Sequence, residues 1–396
     1  MKVLFRRENI VGKWLLAGAL LLASCTGDEV TEVTPTGLPV TFYCEIEGTD
    51  TGENGYVGSG MGGYVDGGVS RASGDDPARE LLTMRNTGFS VSASHNAATT
   101  LNFMYNQEVT YAAPHYPRVP EHWEYTPLKF WPAPVGTLHF HAFAPYASAA
   151  TTDTGQNGIV GVAATTGSSP APRLTYRLAT DKVGNVVNLL YTTQDVTTTD
   201  LQLRFKHALA RLGIQMRTAS PLVGDTRILL KSLTLTSNTT TPIAKKGTFT
   251  LGSTPTWTVT ADDKETSRTY TISNDRESST AYAYVNSDLC YVDALPAKWQ
   301  SAQGLPCTDA SDAPVYAPVV TLGDYVSYIY LIPQESLTLT CTVNYYECTP
   351  STNTLSAIKT KTFFVELRDG SGDDPATEDY ALKVGRTINL KLTLTP

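Results

Sequence analysis

The residue types that carry most enzyme chemistry are thinly spread along this chain. His139 and His141 stand two apart in an alternating run, so a strand would put both imidazoles on one face. Two imidazoles begin a metal site, but no third ligand stands at a fitting spacing, and a half-exposed sheet face accounts for the pair. His207 lies in an apolar run and reads as a core or turn histidine. Asp75-Asp76 and Asp373-Asp374 each precede a proline. Paired carboxylates can hold calcium, yet the spaced ligands of a calcium loop are missing, and acidic surface turns are the simpler reading. There is no GxSxG, HExxH, P-loop or GxGxxG ahead of a helix, and no carboxylate pair in a glycosidase-like setting. The expectation is a chain that is not an enzyme and takes no metal or cofactor. One aromatic cluster, Tyr111, Tyr116, His122, Trp123, Tyr125, Phe130 and Trp131, admits two readings. It is a platform for sugar rings, or it is core and proline-turn packing.

The cysteines are 25, 44, 290, 307, 341 and 348. Their spacing fits no zinc motif. Cys290 and Cys307 could close a loop, and Cys341 and Cys348 could face each other across a hairpin. Free buried thiols explain them equally well.

Cys25 has a different setting. Lys2, Arg6, Arg7 and Lys13 precede an apolar stretch, residues 14–24, that is about half the ~20 residues a spanning helix needs. This is the pattern of a signal peptide. Leu22-Ala23-Ser24-Cys25 resembles the lipobox of bacterial lipoproteins, which implies diacylglycerol on the Cys25 sulfur and cleavage before it. Asp28 and Glu29 resemble a surface-export tag. Losing residues 1–24 removes four cations and Glu8, which moves the net charge from −8 to −11. An acidic chain does not favour a nucleic-acid backbone or an anionic membrane face as partner.

The elements that must position such residues read as strands. Thr is abundant and Tyr numbers 21 against 5 Met, which favours strands. Period-two alternation recurs and the 3.6 period of a helix is scarce, so the class is all-β. Val40, Phe42, Cys44 and Ile46 alternate with polar residues. A glycine-rich stretch, 48–74, follows and has little to bury, which predicts flexibility; it carries Arg71, with Arg79 and Arg85 beyond. Strands are expected at 87–94, 101–111, 122–131, 137–144, 173–179 and 185–192, with 147–170 a long surface loop. A further set follows from 201 to the end. The cleanest is the last, where Ile388, Leu390, Leu392 and Leu394 alternate with Asn389, Lys391 and Thr393. Strands at this spacing suggest sandwiches, with a boundary near 200–225. The expected organisation is a signal peptide at 1–24, a tether with a detachable strand at 25–71, and β-sandwiches at 72–210 and 211–396.

Several blocks resemble the fimbrillin-like proteins of Bacteroidia, the building blocks of type V pili. They are Trp123, Lys129-Phe130-Trp131-Pro132, residues 138–145 (LHFHAFAP), Asn188-Leu189-Leu190-Tyr191, residues 205–212 (FKHALARL) and Tyr330-Leu331-Ile332-Pro333-Gln334. They occur in order along nearly the whole chain. The resemblance implies two transthyretin-like β-sandwich domains and export to the outer surface as a lipoprotein of the outer membrane. It also implies maturation by an arginine-specific protease and polymerisation by strand exchange with other pilus subunits.

The residues supply a mechanism for this. A strand presenting Val40, Phe42, Cys44 and Ile46 fills a groove, and cleavage at Arg71 releases it. The emptied edge invites another strand, which the terminal strand of a neighbour matches in period. Four buried aliphatics contribute roughly 6–12 kcal/mol as an upper estimate. Head-to-tail exchange does not close, so it builds a filament. Cleavage also removes Cys44 and leaves four cysteines. The second function compatible with the sequence is a tip adhesin or surface lipoprotein that binds a glycan or host protein and does not polymerise.

Overall fold

The computed structural model describes residues 34–47, 77–114, 121–178, 186–218, 227–266, 268–273, 317–318, 321–322, 325–326, 328–349, 354–368 and 381–394. Among the described residues strands predominate, spread over several sheets, and helix is scarce, so the fold is all-β.

The first body of sheet is built around central strands that bury both faces. In chain order the elements are β1 (Thr34–Pro39), β2 (Tyr43–Ile46), α1 (Pro77–Thr87), β3 (Phe89–His95), β4 (Met104–Ala112), β5 (His122–Glu124), β6 (Phe130–Ala133) and β7 (Leu138–Ala144). Along the chain follow β8 (Gly158–Ala164), β9 (Pro172–Arg177), β10 (Leu190–Val196), β11 (Gln202–His207) and β12 (Ala210–Thr218), of which β8, β9 and β12 belong to the sheets of the second core. A seven-stranded sheet runs β2-β11-β10-β7-β3-β4-β5, and β1 pairs with β6. β11 shows why alternation makes strands here: Leu203, Phe205 and His207 point inward while Gln202, Arg204 and Lys206 face water. β3 is buried along its length, and two of its serines, Ser90 and Ser92, are satisfied by Asn106 on β4. Ser90 Oγ donates to Asn106 Oδ1 (2.7 Å) and the Asn106 N–H donates to Ser92 Oγ (2.9 Å). The core between the layers joins Phe42, Phe89, Trp131, Phe140 and Phe205.

A second core lies under three further sheets. β12 pairs with strands at 317–318 and 329–331 on one sheet, and takes the C-terminal strand (Thr387–Leu394) in parallel. Another sheet joins Thr269–Ser273, Arg227–Ser237, Ser336–Thr349 and Lys359–Arg368. The third joins β8 and β9 to Lys246–Thr250 and Thr256–Thr258. Gln334, from the Tyr330–Gln334 block, ties this region together: its Oε1 accepts from the Ala244 N–H (2.9 Å) and its Nε2 donates to Pro242 O (3.2 Å).

β11 and β12 are separated only by Ala208 and Leu209, both fully buried. The Trp257 indole N–H donates to Ala208 O (2.8 Å), and the Ala208 N–H to Leu189 O (2.8 Å). The two cores therefore meet at one continuous run of chain.

Two expectations change. Residues 147–170 are not all loop, since β8 lies within them and pairs with β9; its Gly and Ala content hid a strand whose partner supplies the packing. Cys341 and Cys348 share a single strand, Ser336–Thr349, instead of facing each other across a hairpin. Seven residues of strand place them about 23 Å apart, beyond disulfide reach. Cys341 is a free, buried thiol. Cys290 and Cys307 lie outside the described residues.

Candidate assembly site

The N-terminal segment 34–46 crosses from one layer to the other. β1 runs antiparallel to β6, with Pro39 opposite Phe130. The crossing is pinned by hydrogen bonds from the Val40 N–H to Lys129 O (2.8 Å) and from Tyr125 Oη to Val40 O (2.9 Å). β2 then joins the seven-stranded sheet at its edge, parallel to residues 202–205 of β11. Val40, Phe42 and Ile46 are 1%, 4% and 9% exposed. The Phe42 ring sits 5.8 Å from Phe89 and 5.3 Å from Tyr125. Cys44 is half-buried against the same core, and burial pushes its thiol well above the ordinary range. The outward face is acid on base: Glu45 meets Arg204 (2.5 Å) and Gln202 (2.8 Å), and Glu47 meets Lys206 (3.3 Å).

Helix α1 follows the glycine-rich stretch and packs beside β2. Pro77 opens it and Gly88, at φ +66, closes it, the Gly88 N–H donating to Met84 O (2.8 Å). A side chain at Gly88 would collide with Val109 O. Proline at the start and glycine past the end were the signals available in the sequence for this helix. Arg79 and Arg85 both lie on it. The Arg85 guanidinium meets Glu121 (3.2 Å) and lies over the Tyr111 ring (4.5 Å), and Tyr111 Oη also donates to Glu121. Glu80 reaches the buried His207 (3.1 Å), and Asn188 Nδ2 donates to Glu80 (2.9 Å).

Beside the crossing is a cleft of about 660 Å³. Pro39, Val40 and Thr41 form one wall, Gln107, Glu108 and Thr110 of β4 with His122, Trp123 and Glu124 of β5 form another, and the turn after β5 (Tyr125, Thr126, Leu128) completes the lining. The sequence reading missed it, because it depends on β1 and β4 meeting across 70 residues of chain.

The terminal strand is seated on its own chain. Residues 387–394 run parallel to residues 211–218 of β12. Ile388, Leu390, Leu392 and Leu394 are between 0% and 8% exposed, within the second core. Cys25 and Arg71 lie outside the described residues.

The other described candidate residues are spread over the first body of sheet and its surface. His139 Nδ1 pairs with Asp195 (2.6 Å) at the surface. His141 is buried, contacts Thr193 Oγ1 (3.1 Å), and burial, aided by His139, lowers its pKa to about 4. No three metal-binding side chains converge among the described residues. The acidic pairs at 75–76 and 373–374 fall outside them. In the aromatic cluster Tyr125 and Trp131 are buried, Trp123 stacks edge-on with Phe89 and Tyr111, Phe130 and His122 are exposed, and Tyr116 lies outside the described residues. No helix among the described residues is long and apolar enough to cross a membrane.

A family model described as fimbrillin-like matches residues 70–395. The fimbrium subunit Fim1C of Phocaeicola vulgatus is 26% identical over 252 residues, covering 57% of this chain and 56% of Fim1C. The chain thus spans little more than half the length of that relative. The crystal structure of a fimbrial protein from Bacteroides vulgatus shares the fold at a TM-score of 0.53 and 17% identity, covering 89% of this chain and 95% of that one.

Proposed function

The chain belongs to the fimbrillin-like family, and from that premise we propose that it is a structural subunit or adhesin of a surface pilus, assembled by protease-triggered strand exchange. Membership points to a structural, non-enzymatic role. In this reading residues 1–24 are a signal peptide, Cys25 carries lipid at the outer membrane, and two β-sandwich domains divide near residue 210.

One observation carries the proposal. Segment 34–46 holds an edge position in a core that is otherwise built from residues after 77, and it fills that core with Val40, Phe42 and Ile46. Those three side chains contribute ~5–9 kcal/mol as an upper estimate. Removing the segment leaves an apolar slot with an unpaired edge on β11, which another strand can fill. Cleavage at Arg71 is favoured over Arg79 and Arg85, because proteases take exposed, extended chain and the latter two lie on α1. The family match begins at residue 70, beside Arg71.

The donor in this reading is the terminal strand of a neighbour, with Ile388, Leu390, Leu392 and Leu394 entering the slot. That strand must leave its seat on β12, so apolar burial is close to balanced across the exchange. N-terminal sequencing of surface material tests the processing step: a start at Ala72 is expected, and a start at Cys25 would contradict it. Palmitate-analogue labelling of wild type against Cys25→Ala tests the anchor; equal label in both would remove it.

A further inference from the structure

Two segments at opposite ends of the chain share one pattern. Gly37 has φ +80 and Gly385 has φ +71, the left-handed region that favours glycine. Three residues after each glycine the first buried aliphatic appears, Val40 in one and Ile388 in the other. Alternate residues then continue inward, as Phe42, Cys44 and Ile46 or as Leu390, Leu392 and Leu394. Both segments run parallel to their neighbours, β2 on β11 and the terminal strand on β12. Laid glycine on glycine, Ile388 falls on Val40, Arg386 on Leu38 and Lys383 on Pro35.

The cleft beside the crossing has the complementary chemistry. Thr110 pairs with Glu124, so Glu108, two residues back on β4, shares its face. Both carboxylates are exposed, and no lysine or arginine lines the cleft. Its wall is Pro39–Thr41, the places that Thr387–Asn389 would take.

We infer that this acidic cleft receives Lys383 and Arg386 of a second copy, and that these charges fix the polarity and register in which the donor strand enters. The inference rests on the strand exchange proposed above. Arg386 would lie two residues from the position of Ile388, about 7 Å of strand, and its own side chain spans the remaining distance. The opposite polarity brings the Leu394 end and the uncharged Thr395 to the cleft and leaves Glu108 and Glu124 without a lysine or arginine from the donor. Because apolar burial nearly cancels in the exchange, the difference between the polar contacts of the two states decides its direction.

The test uses the full chain cut by an arginine-specific protease, with the polymer ladder on an unboiled gel as readout. Glu108→Lys with Glu124→Lys is one variant, Lys383→Glu with Arg386→Glu the second, and all four changes together the third. Each exposed ion pair is modest, so each double variant is expected to slow ladder growth several-fold, roughly 3- to 20-fold. The quadruple variant restores it. Wild-type growth should also fall as salt rises from about 0.05 to about 0.5 M. Melting temperatures verify that each variant is folded, and the salt series on wild type stands if one is not. Equal ladders in all four proteins, or no salt dependence, would overturn the clasp and leave strand exchange intact. A cut wild type that forms no ladder overturns both.

Discussion

The N-terminal segment meets its sheet along residues 202–205 of β11, while the terminal strand follows β12 along 211–218. Both insert alternate apolar side chains, and both run parallel to their partner. The first is a plug: its hydrogen bonds change layers at Val40, and the outward face is held by surface ion pairs. The second is a full member of its sheet. The difference teaches that similar sequence patterns can give a short pairing of four residues in one place and a long pairing of eight in another.

The strongest way to break this comparison is to remove each strand in turn. Truncation after Lys383 deletes four buried aliphatics at ~2–5 kcal/mol each. It should lower the melting temperature by more than 10 °C. Cutting at Arg71 should lower it less. Equal losses would make the two strands equivalent.

Single substitutions sharpen it. Leu394→Ala should cost ~2–5 kcal/mol in denaturant unfolding, before and after processing. Phe42→Ala should cost ~3–5 kcal/mol in the uncut chain and nothing once the segment has gone. A Phe42→Ala effect that survives cutting would show that the plug stays bound.

Acid probes the sheet that carries the plug. His141, on β7, has a folded pKa near 4 against an ordinary value near 6.5. The fold therefore favours the neutral ring. That stability is fully present above about pH 6.5, declines as pH falls, and is gone below about 4, a loss of ~3 kcal/mol. His141→Gln should flatten this part of the pH profile, measured by urea midpoints at pH 7 and pH 4. An unchanged slope would assign it elsewhere.

The smallest effect belongs to the outward face of the plug. Glu45→Gln breaks an exposed pair with Arg204 and should cost under ~1 kcal/mol, with the effect fading in high salt.

The elements most legible in the sequence were those with strict alternation. The terminal strand and β11 follow their side-chain pattern, and the buried set Val40, Phe42 and Ile46 was readable from spacing alone, whereas β7 is buried on both faces and takes His141 inside with it. α1 was not read, although Pro77 and Gly88 mark its ends, because its apolar face is short. β8 was hidden by Gly and Ala. The parallel pairings of both end strands, and the cleft with Glu108 and Glu124, depend on contacts between distant segments. Local residue types carry no record of those contacts.

The joint at Ala208 and Leu209 has a mechanical consequence. β11 offers the edge where the plug sits and β12 the edge where the terminal strand sits, and only two buried residues lie between them. A pull on one seat reaches the other through the backbone of a single chain. It acts along the strand axes, where the interstrand hydrogen bonds share the load together instead of opening one by one like a zip. In the strand exchange proposed above, tension between neighbouring subunits would pass through this two-residue joint.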